Sequence, residues 1–200
     1  MRDALVFYGE MLRKTGQVGA FSRMSAAVGR AVAEPLASIP APRRVLEAGA
    51  GTGALTRAIL ERLAPGDRLD LYEVNATFAR LLRERFASAN VFDRDVETLA
   101  ENARYDLVVS SLPLMNFEPE KVRRILDLYA ARLAPGGTIV SVDYWGKELR
   151  PLVSGAAERA RMREVLRVTR AFLDRHEHES RIVPWNFPPA CVRYVRILSA

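Results

Sequence analysis

The chain has 200 residues, 49% hydrophobic and 27% charged, with a formal net charge of +6 and a pI near 9.9. This fits one domain with a substantial core and excludes a disordered chain; no run approaches the ~18 apolar residues of a membrane-spanning helix. The charged opening "MRDALVFYGEMLRKTG" is not expected to be a secretory leader, and the lone Cys191 excludes an internal disulfide and a Cys-based zinc cluster. A cytoplasmic protein without a metal site is the expectation.

In chain order, two helical segments come first, Asp3–Lys14 and Ser25–Ala37, the second ending before Pro40. "RRVLEAG" then reads as a strand and Thr52–Leu63 as an amphipathic helix, with Leu55, Ile59, Leu60 and Leu63 at helical spacing. "DRLDLYEV" is a second strand, followed by a helix through "ATFARLLRERF". "ANVFDRDV" is a short third strand and "RYDLVVSSL" a β-branched fourth; a helix over Lys121–Leu133 stops at Pro135-Gly136-Gly137. "GTIVSVDYW" is a fifth strand, a long Arg-rich helix spans about Gly155–His176, and "SRIVPW" and "CVRYVRIL" close the chain around "NFPPA". Alternating strands and helices imply an α/β fold with a parallel sheet covered on both faces.

Between the first strand and its helix lie Gly49, Gly51 and Gly53, with Glu47 just before them. Glycines at such a junction allow positive φ and close approach of the backbone to a ligand, and a helix start behind them offers unpaired N–H groups. That is the arrangement of a nucleotide site at the carboxyl end of a parallel strand. The spacing departs from the dinucleotide fingerprint G-x-G-x-x-G, and no G-x-x-x-x-G-K-[ST] run points to a nucleoside triphosphate. Glu73, 22 residues after Gly51, ends the second strand where an acid accepts hydrogen bonds from ribose hydroxyls. Asp95 ends the third strand, where a carboxylate meets an adenine amine or, alternatively, caps the helix start "VETLA".

Over roughly residues 43–145, "VLEAGAGTGALT", "LYEVN", "FDRDV", "YDLVVSSLPL" and "LAPGGTIV" resemble, in order and spacing, the class I S-adenosylmethionine-dependent methyltransferases. The resemblance implies a Rossmann-like, seven-stranded, mostly parallel sheet with an antiparallel last strand and an N-terminal helical cap. It implies S-adenosyl-L-methionine as cofactor and S-adenosyl-L-homocysteine as product. By the same likeness Glu47 and Gly49, Gly51 and Gly53 face the methionine moiety, Glu73 holds the ribose, Val74 flanks the adenine, and Asp95 with Val96 surrounds the adenine amine. Ser110 joins these cofactor residues, and Ser111 is placed to orient an acceptor amine.

A narrower likeness rests on the basic amphipathic N-terminus, "GQVGAFSRMS", "SSLPLMNF" and "NFPPACV". With these the chain resembles bacterial phospholipid N-methyltransferases, in which an N-terminal helix binds anionic membrane and phosphatidylethanolamine is methylated in steps to phosphatidylcholine. It implies that Phe21 and Ser22 close over the cofactor and that Asn186 and the Pro188-Pro189 turn border the acceptor pocket. One domain is expected over 1–200: N-terminal docking and cap helices over 1–40, a cofactor core over 41–145, and a substrate side over 146–200. A monomer, peripheral on the inner face of the membrane, follows.

Charge distribution is compatible with that surface. Residues 1–44 carry +4, residues 45–145 carry −3 and residues 146–200 carry +5, so the basic charge belongs to the two ends. Such ends suit an anionic membrane or a polyanion. Leu5, Tyr8 and Leu12 gather on one side of the first helix, with Arg2, Arg13 and Lys14 in reach of phosphates, as in an interfacial helix; the same face also suits packing on the domain. Arg159, Arg163, Arg167 and Arg170 form either a second basic surface or a solvated face.

Chemically, an acceptor ammonium must lose a proton before attack on a methyl group, and a dry pocket favours the neutral amine. Alignment of donor and acceptor supplies much of the acceleration, and aromatic faces stabilise cationic products. Tyr144 and Trp145, ending the fifth strand, are placed for this. The alternative is an RNA adenine N6-methyltransferase, which uses a related motif after the fourth strand. Leu114, where that motif carries an aromatic residue, argues against base stacking, so nucleic acid is not the expected partner.

Overall fold

Seven strands form a single sheet in the computed structural model, which describes residues 24–145, 155–186 and 188–197. They are β1 (Arg44–Ala48), β2 (Arg68–Tyr72), β3 (Asn90–Phe92), β4 (Tyr105–Ser110), β5 (Leu133–Tyr144), β6 (Glu177–Val183) and β7 (Ala190–Arg196). Their order is β3-β2-β1-β4-β5-β7-β6. The first five run parallel, while β7 is antiparallel to both β5 and β6. This is the Rossmann-like sheet that the alternating pattern and the resemblance anticipate. The strand order reverses beside β1, the topological switch point at which open α/β sheets bind ligands.

Helices cover both faces: α1 (Ala26–Ala33), α2 (Ala54–Leu60), α3 (Ala76–Arg85), α4 (Pro119–Arg132) and α5 (Ala156–Leu173). Because side chains alternate across a strand, each central strand feeds two cores. Val45, Leu107, Val109 and Val140 pack with Val28, Val32, Leu55, Ile59 and Leu82 on one side. Leu46, Val108 and Ile139 pack with Ile125, Tyr129, Val165 and Phe172 on the other. Burial on both faces explains why β1 and β4 read as near-continuous apolar runs; each such fully buried side chain contributes about 1.5–3 kcal/mol.

Element boundaries shift from the sequence reading for local reasons. The helix expected over Ser25–Ala37 becomes α1, capped by Ser25, followed by a 3₁₀ turn at Glu34–Ala37. Pro35 has no N–H to give the Ala31 carbonyl; that oxygen accepts instead from the Glu34 N–H and, at 2.9 Å, the Tyr194 hydroxyl. The helix expected from Thr52 begins only at Ala54, because Gly53 sits in the left-handed region at φ 86°. The strand expected from Gly137 begins at Leu133, with a register shift against β4, and the helix expected to reach His176 ends at Leu173.

Long-range polar contacts fasten the N-terminal segment to this frame. Arg43, 7% exposed, donates to the Leu36 carbonyl and pairs with Asp67 at 2.6 Å. Asp67 also accepts from the Arg43 and Ala64 backbone N–H groups, each at 2.7 Å. Burial pushes the Asp67 carboxyl upward, but these donors outweigh it and hold it below its ordinary value. The helix expected over Asp3–Lys14, and with it Phe21 and Ser22, lies outside the described residues.

Candidate active site

At the carboxyl end of β1 the backbone turns through three glycines of positive φ, Gly49 at 77°, Gly51 at 56° and Gly53 at 86°. The three do different work. A Cβ on Gly49 would lie 2.8 Å from the Leu112 side chain, and one on Gly53 would lie 2.2 Å from the Phe86 ring. Gly53 is therefore glycine also for the packing of α2 against α3. A Cβ on Gly51 would meet nothing nearer than the Gly49 carbonyl at 4.0 Å. Gly51 alone borders open space.

Two buried acids stand behind this loop. Glu73, 2% exposed, accepts from the Gly51 N–H through Oε2 and the Asn75 N–H through Oε1, both at 2.8 Å. Asn75 in turn caps α3, accepting from Thr77 and Phe78. Glu73 thus ties the glycine loop to the start of α3, and its remaining lone pairs face the cleft it lines. Burial raises its pKa despite the opposing backbone N–H bonds. Glu47 is fully buried; its Oε2 accepts from the Thr56 hydroxyl at 2.7 Å, while Oε1 has no partner among the described residues. Burial, and in lesser part the Glu73 charge, push its carboxyl up to about 8 against the opposing Thr56 bond.

Beside the loop opens a cleft lined by Gly49, Glu73, Val74, Asp95, Val96 and Phe117, with Lys121 across from Asp95. Its wall is stiffened by Tyr72 stacked on Phe92 at 4.8 Å, under the Arg94 guanidinium, 5.0 Å from the Phe92 ring. Asp95 takes the capping role of its two sequence readings, Oδ1 accepting from the Glu97 N–H at the start of the 3₁₀ turn Val96–Thr98, and the residue also lines the cleft. Its Oδ2 meets Lys121 Nζ at 2.5 Å, and Lys121 also reaches Glu97 at 3.3 Å. Burial disfavours the Lys121 charge, but the two carboxylates raise its pKa on balance. Sequence reasoning missed Lys121, because only the sheet order brings the first turn of α4 over the end of β3.

The expected acceptor side divides in the same way. Ser110 is buried and accepts from the Tyr129 hydroxyl at 3.0 Å, so its side chain packs under α4 and only its backbone is near the loop. Ser111 donates to the Gly49 carbonyl at 2.8 Å, clasping the glycine loop to the end of β4. Leu114 is buried in a 3₁₀ turn, Leu114–Asn116, and Phe117 just beyond it supplies the aromatic face of the cleft. Arg161 of α5 grips that turn, donating to the Phe117 carbonyl at 2.5 Å and the Met115 carbonyl at 2.9 Å, with Glu158 paired behind it. It lies between the arginines that form the visible stripe, and it reaches this turn through two backbone carbonyls.

Tyr144 ends β5 with 38% of its surface exposed, and partial burial raises its pKa. Asn186 is not placed as an acceptor-binding group. It is 4% exposed; its Oδ1 accepts from the Ser25 N–H at 2.9 Å and its Nδ2 donates to the Pro188 carbonyl at 2.7 Å. Both ends of the amide hold backbone, so its reading as a residue of the acceptor pocket gives way to a structural one, fastening the start of α1 to the β6–β7 connection. No group of three or more candidate metal ligands occurs among the described residues.

A family model described as "Methyltransferase domain" matches residues 45–137, from β1 to the start of β5. Ornithine lipid N-methyltransferase of Singulisphaera acidiphila is 33% identical over 147 residues, covering 69% of this chain and 76% of that relative. The chain is a class I S-adenosylmethionine-dependent methyltransferase. Solved structures agree on the fold. The N-methyltransferase NodS from Bradyrhizobium japonicum superposes with a TM-score of 0.66 at 19% identity, over 86% of this chain and 95% of that one. Its complex with S-adenosyl-L-homocysteine gives 0.63 at 18%, over 85% and 86%. The methyltransferase takes S-adenosylmethionine as cofactor, and its own residues fit that group. The partnerless Glu47 Oε1 awaits a donor, the open space at Gly51 admits a ligand against backbone, and Glu73 retains acceptor capacity at the cleft.

Proposed function

We propose that this methyltransferase methylates the amine of a membrane lipid, with phosphatidylethanolamine and its methylated derivatives as acceptors and phosphatidylcholine as product. The observation that carries the reading is the 33% identity to a lipid N-methyltransferase across three quarters of that relative's length. Because that relative's name specifies ornithine lipid, an aminoacyl lipid amine is the second acceptor to test. The buried Leu114 in place of an aromatic supports a lipid over an RNA base, while the basic balance of residues 146–200 suits an anionic partner of either kind. The protein then works as a peripheral enzyme on the inner face of the membrane.

The cofactor supplies an electrophilic methyl group on sulfonium. This chain's residues would do the rest. Glu73, Val74, Asp95 and Val96 would hold the nucleoside part, and Glu47 with the Gly49–Gly51 backbone the methionine part. Phe117 lines the same cleft, with Lys121 Nζ 5.2 Å from its ring centroid, and would bound the nucleoside part from that side. Ser111, at the same loop, would orient the amine through its lone pairs, since its proton is already donated to Gly49. The dry wall of Leu112 and Phe117 favours the neutral, nucleophilic amine.

The test is transfer of labelled methyl from the cofactor to vesicles containing phosphatidylethanolamine, to vesicles containing ornithine lipid, or to total RNA. Label in the phosphatidylethanolamine fraction is the expected result. Label only in ornithine lipid would change the acceptor within the lipid class, and label only in RNA would overturn the lipid reading.

A further inference from the structure

All the large hydrophobic side chains that are exposed among the described residues collect at one end of the sheet. They are Tyr144 (38%), Trp145 (59%), Ile182 (52%) and Trp185 (85%). Tyr144 and Trp145 close β5, and the Trp145 N–H donates to the Pro189 carbonyl at 2.8 Å, which brings it against the β6–β7 connection that carries Trp185. Cys191 of β7 lies opposite both Asp143 and Ile182, so these residues straddle the same short stretch of β7. Since β6 runs in the same direction as β1 to β5, this is the carboxyl end of the sheet, the end that carries the glycine loop and the cleft.

Neither core explains these side chains. Isolated exposed apolar residues need no explanation, but a cluster that takes in both of the chain's two tryptophans does. Tryptophan combines a large apolar body with an N–H that stays hydrated, and so favours the boundary between acyl chains and water. The segment from 146 to 200 that bears Ile182 and Trp185 carries 11 Lys/Arg against 6 Asp/Glu, which complements an anionic lipid surface.

We propose that this aromatic rim, Trp145, Ile182 and Trp185 with Tyr144 beside them, inserts into the headgroup region of an anionic phospholipid bilayer and seats the cleft over its lipid. The inference rests on the lipid reading of the substrate. It assigns membrane contact to the carboxyl end of β5 and β6, separately from the first fourteen residues. Docking there turns the mouth of the cleft toward the bilayer, so a lipid amine need rise only from the headgroup layer to reach it.

Because the two tryptophans are the only ones, the intact protein reports on its own docking. Full-length protein is mixed at low salt with phosphatidylglycerol vesicles, with phosphatidylcholine vesicles, and with phosphatidylglycerol vesicles carrying brominated acyl chains. Phosphatidylglycerol is expected to shift the emission to the blue, brominated chains to quench it, and added salt to weaken both effects. W185F and W145F resolve the two signals, and each should retain binding. W145S/W185S should lower the vesicle partition coefficient by about tenfold or more, through lost apolar insertion, at unchanged affinity for S-adenosylhomocysteine. Unshifted and unquenched emission from protein that nonetheless co-sediments with vesicles would overturn the proposal, and so would emission unchanged in every vesicle. Methylation of a short-chain, monomeric phosphatidylethanolamine separates this failure from failure of the lipid reading, since such a substrate needs no docking.

Discussion

Glu47→Gln isolates the charge state of an acid that is fully buried among the described residues. With its carboxyl at about 8 in the folded protein against an ordinary 4.5, Glu47 keeps its proton at neutral pH. A group whose pKa is raised by folding stabilises the fold fully only below its unfolded pKa. Its contribution is lost as pH climbs, at up to about 1.4 kcal/mol per unit, until the folded pKa is passed. Glutamine preserves the shape and the acceptor oxygen for Thr56 but cannot ionise. Urea unfolding of both proteins at pH 5, 6, 7 and 8 should therefore show the variant gaining on the wild type by roughly 1 kcal/mol per unit. The same acid is the one that would meet the cationic end of the cofactor. Binding near pH 7 should then release close to one proton from the wild type and none from this residue in the variant. Calorimetry in two buffers of different ionisation enthalpy measures that difference. Parallel stability profiles from pH 5 to 8 would refute the assignment of a neutral Glu47.

The two glycines of the loop should part company on mutation. Gly51→Ala should lower affinity for S-adenosylhomocysteine, read by calorimetry, with a modest fall in melting temperature from its positive φ alone, whereas Gly53→Ala should lower the melting temperature further, because its Cβ also clashes with Phe86. Asn186→Ala should destabilise by about 1–3 kcal/mol, because the Ser25 N–H and the Pro188 carbonyl lose their partner; a melting temperature lower by several degrees with intact kcat would separate this from a catalytic loss. Arg161→Met removes the charged donor from the Met115 and Phe117 carbonyls. It should raise KM for the acceptor by about tenfold, the equivalent of one charged hydrogen bond, while cofactor affinity stays the same.

How far these features could be read in advance follows the range of the interaction that makes them. Strands β1 and β4 and their order with the helices were legible, because burial on both faces leaves an apolar run that a local window detects. The glycine loop and Glu73 were legible as a set, 22 residues apart, because turn geometry and an acid at a strand end leave marks in composition. The division of labour inside the set was not. Gly51 and Gly53 look alike in sequence, and only the packing of Phe86 from α3 separates them. Asn186 illustrates the limit more sharply. Only the likeness to phospholipid N-methyltransferases makes it an acceptor residue, whereas its partner Ser25 lies 161 positions away, and no periodicity spans that distance.

Lys121 and Arg161 fail to stand out for a related reason. Each sits on a helix among other charges, where the default reading is a solvated face. What distinguishes them is the element underneath: the end of β3 for Lys121, the turn after β4 for Arg161. Both act on backbone or carboxylates that shape the cleft. The cofactor side of such an enzyme is therefore written in short motifs, because backbone and strand ends make it. The carboxylate beyond β3 and the turn after β4 are instead held by side chains from α4 and α5 that meet them across the sheet. The cofactor is therefore legible in the loop, whereas contacts that cross the sheet leave no short motif from which an acceptor could be read.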